Sequence, residues 1–162
     1  MTLDELDDYG MHRMDDDDIE GTLERQSIGV LGVSTDAAPM LRPLSYWYDG
    51  ESSLYFVYVL GVDSQKAALS QRADTAGFLV YNIETTFNWR SVLLTGTLSE
   101  VSDEERAAIE SEMDVAWKPD LFERAAESEA TALYRFDIQE RAGIKQLELP
   151  ADLRDGSSTS GP

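Results

Sequence analysis

Apolar positions in this chain recur first at helical and then at strand spacing. Residues 1–14 carry little periodicity and read as an N-terminal arm. Asp15 to Asp18 load acids where a helix N-terminus favours them. Ile19, Leu23 and Gln26 follow at helical spacing, which predicts a short amphipathic helix over 16–26. Between Ser27 and Ser34 the run Ile28, Val30, Leu31, Val33 is apolar and rich in β-branched residues, a buried strand. After a turn at 36–39, a second strand over 40–49 ends at Asp49-Gly50, a hairpin signal ahead of a third strand from Leu54 to Leu60. The third strand is apolar on both faces, as expected inside a barrel or at an interface. Residues 61–63 break it, and a short helix opens at Ser64.

Ala76 to Ile83 reads as a fourth strand and 84–88 as a polar loop. Trp89 to Val101 is a long fifth strand with Val92, Leu94, Gly96 and Leu98 on one face. Ser102 with Glu105 three residues on forms a capping box, so a helix is expected from 103 to 115. Pro119 suits the first turn of another helix, reaching 127. The last strand, 130–145, alternates Ala132, Tyr134, Phe136 and Ile138 inward. A flexible tail, 149–162, becomes Gly- and Ser-rich from 156. Six mostly antiparallel strands with short connections and helices around them suit an α+β fold, a small six-stranded β-barrel over 15–148, better than a βαβ fold.

Charge changes the picture most. There are 32 acids against 13 bases, a formal net charge of -19, and such a surface repels nucleic acid and anionic membranes. Only Lys66, Lys118 and Lys145 are lysines, the other bases being arginine. This acid-rich, lysine-poor composition resembles that of haloarchaeal proteins, in which molar salt screens self-repulsion over a few ångströms. Cysteine is absent, which excludes disulfides, thiolate metal sites and cysteine nucleophiles. The single histidine, His12, excludes a histidine-rich metal site and sits in the arm, away from any Ser-His-Asp arrangement. No basic-then-apolar signal segment and no apolar run near membrane-spanning length is evident, so the expectation is a soluble, cytoplasmic protein.

In so acidic a chain the informative residues are bases at special positions. Arg42 lies within the second strand with Ser45 beyond it, and Arg90 opens the fifth strand beside Ser91. Lys66 falls in the first turn of the helix begun by Ser64, where a lysine opposes the helix dipole unless an anion also binds. Amides at a helix start, a serine hydroxyl and a lysine make a phosphate cradle. Each strand arginine alone reads as a surface ion pair; together the three favour an anionic cofactor.

Four stretches carry a resemblance. They are Leu41-Arg42-Pro43-Leu44-Ser45-Tyr46-Trp47-Tyr48-Asp49-Gly50, then Leu54-Tyr55-Phe56, then Ser64-Gln65-Lys66-Ala67, then Trp89-Arg90-Ser91-Val92-Leu93-Leu94-Thr95-Gly96. They resemble the flavin-binding segments of the pyridoxamine 5'-phosphate oxidase-like family, nearest its nitroimidazole-resistance-protein-like branch, over residues 10–145. The resemblance implies a split β-barrel, a homodimer and FMN held across the interface. Ser64 and Lys66 would bind the phosphate, with Arg90 and Ser91 lining it from the fifth strand. Arg42, Leu44, Ser45 and Tyr46 would belong to the second strand's part of the site, the last three around the isoalloxazine ring. Tyr58 or Val59 would lie near the ribityl chain. Gln65 stands where the family's Ser-Arg-Lys signature has arginine, which removes a charge and leaves room for a deazaflavin coenzyme. The function implied is flavin-dependent redox chemistry on a small molecule, without a match for the residues that bind vitamin B6. Its rivals are a deazaflavin-dependent reductase, a non-catalytic flavin-binding or sensing protein and, weakest, a haem protein.

Overall fold

The computed structural model describes residues 2–59, 75–112 and 131–154. Its strands are β1 (Met11–Arg13), β2 (Ile28–Val33), β3 (Met40–Ser45), β4 (Trp47–Tyr48), β5 (Ser53–Val59), β6 (Ala76–Thr85), β7 (Asn88–Glu100) and β8 (Thr131–Gln146). The helices among the described residues are α1 (Leu3–Asp8), α2 (Asp16–Arg25), α3 (Asp103–Glu112) and the single turn α4 (Ala151–Arg154).

All eight strands join one sheet in the order β3-β2-β6-β7-β8-β5-β4, with β1 added to β8, and every pairing is antiparallel. The two ends of that path, β3 and β4, are consecutive in the chain and separated by Tyr46 alone. One bent segment therefore pairs with β2 through its first half and with β5 through its second, which curls the sheet into an α+β split barrel. The six strands expected from the pattern are all present. Among the described residues the count is eight, because 40–49 is divided at Tyr46 and because three residues of the arm add β1.

Tyr46 explains the division. Its amide donates to the Ser27 carbonyl at 2.9 Å, and its phenol donates to the Leu23 carbonyl at 2.7 Å. The ring meets Phe78 edge-on at 5.5 Å and is 2% exposed, and burial pushes the phenol well above its ordinary pKa. One side chain thus fixes the bend and ties α2 to the barrel. That helix forms because Asp15 caps it, accepting from the Asp18 amide at 2.8 Å, with Asp16 to Asp18 in the first turn. Ile19 and Leu23, one turn apart, close the end of the core beneath it.

Inside, Phe56, Phe78 and Phe136 pack with centroids 4.9 to 6.2 Å apart, surrounded by Leu31, Val80, Val92 and Leu94. β8 runs 16 residues because it has partners on both edges: β7 along one, β5 and then β1 along the other. Where β7 shifts register between Thr95 and Gly96, only glycine fits, since a Cβ at Gly96 would enter the Asp137 backbone. Behind β5, Tyr55 packs with Val101, Leu133, Trp47 and α3's Ile109. At Tyr55, then, the second apolar face of the third strand is covered within the chain itself. The helix expected near 119–127 lies outside the described residues.

Candidate functional site

Strands β6 and β7 alternate strictly, and both their faces are apolar. Phe78, Val80, Val92 and Leu94 point into the core. The opposite set, Leu79, Tyr81 and Ile83 on β6 with Trp89, Ser91 and Leu93 on β7, points outward. Register pairs them as Leu79 with Leu93, Tyr81 with Ser91 and Ile83 with Trp89. Ile83 is 65% exposed, Leu93 53% and Tyr81 45%. The face continues onto β2 and β3, where Ile28 and Leu41 are each 60% exposed. Leu79, Tyr81, Ile83, Trp89, Arg90 and Ser91 line a shallow concavity of about 340 Å³ on it. Chemically this is an apolar, aromatic platform with one hydroxyl and an adjacent guanidinium.

A second, polar concavity of about 270 Å³ lies on the other side of the same hairpin. There the last turn of α2 contributes Thr22, Arg25 and Gln26, and the hairpin contributes Asn82, Glu84 and Arg90. The neighbouring Lys145 Nζ donates to Asp18 Oδ2 at 2.6 Å, and this bond holds the Asp18 carboxyl below the usual carboxylate range. Arg90 also lowers it, more weakly, through its charge.

The residues singled out from sequence are distributed unevenly over this geometry. Ser45 and Ser91 share the outer face, Ser45 opposite Ile28, with β2 and β6 between their strands. Arg42 and Leu44 lie on the other side of β3. Arg42 is exposed, with Nη1 donating to the Leu41 carbonyl at 3.1 Å, and Leu44 packs half-buried against the core. Tyr46 is in the core, its hydroxyl already bonded, so only its backbone neighbourhood is left for a ligand. Arg90 and Ser91, as successive strand residues, project to opposite faces. The backbones of Tyr58 and Val59 pair with Ala132 and Thr131. Ser64 and Lys66 lie outside the described residues. His12, in β1, has Nδ1 3.0 Å from Asp7 Oδ1 and is thereby fixed beside β8.

The apolar outer residues Leu79, Tyr81, Ile83, Trp89 and Leu93 were not among the sequence candidates. Their signal was available: β6 is apolar at both parities over most of its length, as a strand with two covered faces must be. Among the described residues no cluster of three or more metal-ligating side chains occurs, and no helix is long and apolar enough to cross a membrane.

Known proteins agree with this architecture. No curated protein matches the sequence. Among solved structures, an FAD-binding protein from Mesorhizobium loti superposes with a TM-score of 0.68 at 18% identity, covering 85% of this chain and 98% of its own. An FAD- and haem-binding protein from Mycobacterium smegmatis gives 0.72 at 14% identity, over 94% of this chain and 81% of its own. A candidate 5-nitroimidazole antibiotic resistance protein from Bacteroides thetaiotaomicron gives 0.63 at 13% identity, over 84% and 89%. Identities this low establish the shared fold. The family model for pyridoxamine 5'-phosphate oxidase matches residues 15–145, from the cap of α2 to the end of β8, and on that match the chain belongs to the pyridoxamine 5'-phosphate oxidase family.

Proposed function

We propose that this protein binds a flavin, FMN in the first instance, against the outer face of β6 and β7, and that a second copy of the chain completes the site. The observation that carries the reading is the outer face itself. It is a continuous apolar surface with an aromatic concavity on it, in a chain whose net charge is -19. A monomer gains nothing by exposing such a patch, whereas a planar ring system and a partner subunit both do well against it.

The residues present suit a flavin. Tyr81 and Trp89 offer flat apolar surface for the ring, and Ser91 offers a hydroxyl in the same concavity. Ser64 and Lys66 would supply the phosphate clamp on the sequence reading. A bound flavin supplies hydride or electron transfer to a small molecule. The chain's own part is to bind and orient it, and burial of Ile28, Leu41, Ile83 and Leu93 by a partner subunit would keep water from its edge. The solved relatives named for binding FAD support a flavin in general. The acid-rich, lysine-poor composition supports a salt-rich cytoplasm as its setting.

The test is an absorbance spectrum of protein purified in molar salt, followed by titration with FMN, FAD and the deazaflavin coenzyme. Stoichiometric uptake of FMN with a flavin spectrum is the expected result. Uptake of the deazaflavin alone would make the protein a deazaflavin reductase, and a Soret band would make it a haem protein. A colourless protein that takes up none of them would sink the reading. Turnover of bound flavin by any donor and acceptor pair would separate an enzyme from a flavin sensor.

A further inference from the structure

The cleft between the last turn of α2 and the β6–β7 hairpin is a different concavity from the one on the apolar platform, the two sharing only Arg90 in their linings. Two guanidinium groups, Arg25 and Arg90, line it. Among the described residues most other bases have a carboxylate within 4 Å: Arg106, Arg135, Arg141, Arg154 and Lys145 are all paired. Arg25 and Arg90 have no such ion pair among the described residues. Arg13 and Arg42 also lack one there, but only Arg25 and Arg90 line a common cavity, and in a chain with 32 acids and 13 bases that convergence suits an external anion.

The rest of the lining agrees. Gln26 and Asn82 bring amide donors to the cleft. The end of α2 would ordinarily oppose an anion, but two of its last-turn carbonyls are engaged: Thr22 accepts from the Gln26 amide at 3.1 Å, and Leu23 accepts from the Tyr46 hydroxyl at 2.7 Å. Glu84 also lines the cleft, with Oε2 accepting from Asn88 Nδ2 at 2.7 Å. Asn88 Oδ1, on that same side chain, is buried without a hydrogen-bond partner among the described residues. The lining therefore presents two cationic forks and, at its hairpin edge, the Glu84 carboxylate.

We propose that this cleft is a second ligand site, which takes the carboxylate or phosphate of a small acid through Arg25 and Arg90. A ligand that also carries a hydroxyl or amino group would answer Glu84. Arg25 tests the site apart from the flavin reading, since it lines this cleft and not the concavity of the platform.

Isothermal titration of inorganic phosphate, and separately of acetate and of serine, into the purified protein at one fixed chloride concentration tests it. Titrations are made with and without added FMN. Saturable binding of at least one probe is expected, weakened roughly tenfold or more in Arg25→Ala. Arg25→Lys should recover part of the loss, and flavin uptake should be the same in both variants. Phosphate alone would assign a phosphoryl group, acetate alone a carboxylate, and serine tighter than acetate a hydroxy- or amino-bearing acid. Absence of saturable binding for all three probes, or equal binding in Arg25→Ala, would overturn the proposal. A protein that takes no flavin yet binds an anion through Arg25 would overturn the flavin reading and leave this one standing.

Discussion

The two faces of the β6–β7 hairpin are made by the same strands, yet they do different work. On the inner face Phe78, Val80, Val92 and Leu94 are fully buried, and their packing stabilises the barrel. On the outer face Tyr81, Ile83 and Leu93 remain about half exposed or more. Burial of the first set accounts for the fold. The second set gains nothing in a single chain, so its apolar character points outward, to a ligand or a partner. The polar tip of the same hairpin differs again, having charge and amides where the faces have hydrocarbon.

The comparison predicts its largest effect on the inner face. Phe78→Ala removes a ring that packs on Phe56, Phe136 and Tyr46 at once. It should cost about 3–5 kcal/mol, read as the denaturant midpoint in molar salt. A loss below that of an ordinary surface substitution would mean that the inner face is not the core. Gly96→Ala should cost about 1–3 kcal/mol, because the added methyl meets backbone that cannot withdraw. The same measurement finding no change would show the β7–β8 pairing free to adjust at the register shift. Tyr46→Phe keeps the ring and loses the bond to Leu23; about 1 kcal/mol is expected, with faster amide exchange in the last turn of α2. Unchanged exchange would mean that the bend holds α2 without that bond.

The smallest effect concerns Asp18. Its folded pKa lies below its ordinary value, chiefly through the Lys145 hydrogen bond. A depressed carboxylate contributes stability that is complete above its unfolded pKa and is lost as pH falls through its folded pKa. Its side chain is 35% exposed, so solvent screens the pair. Asp18→Asn should therefore cost under about 1 kcal/mol at neutral pH, and the difference should close in strong acid. A deficit that widened as pH fell would give the pair the wrong sign.

Much of this was legible in the chain. Asp15 to Asp18 ahead of Ile19 and Leu23 gave α2 within a residue. Ser102 marked the start of α3, where its Oγ accepts from the Glu105 amide at 3.4 Å. The bend at Tyr46 was not legible, because a strand that changes partner from β2 to β5 keeps its alternation while its neighbours change. β1 was equally hidden: Met11-His12-Arg13 has no periodicity, and its pairing comes from the free edge of β8. The loop read over 84–88 proved to be a tight hairpin in which Thr85 pairs with Asn88, since polar residues there conceal a two-residue turn.

The site divides in the same way. Residue types near an anionic cofactor were readable one at a time, and Ser45 and Ser91 do share a face. That Arg90 lines both the platform's concavity and the cleft beside α2 depends on its place in the hairpin, which the motif, as a string of letters, does not express. The third strand's two apolar faces suggested a barrel interior or an interface; at Tyr55 the chain covers the second face itself, and β6 carries the exposed one.

Sedimentation velocity in molar salt, recorded in the protein band and the flavin band together, tests the central claim most directly. Wild type with FMN should sediment as two chains with flavin co-migrating, and Leu93→Asp should sediment as a single folded chain with little flavin bound. A wild-type monomer that carries flavin, or a Leu93→Asp variant that keeps both its partner and its flavin, would contradict the assignment of the outer face.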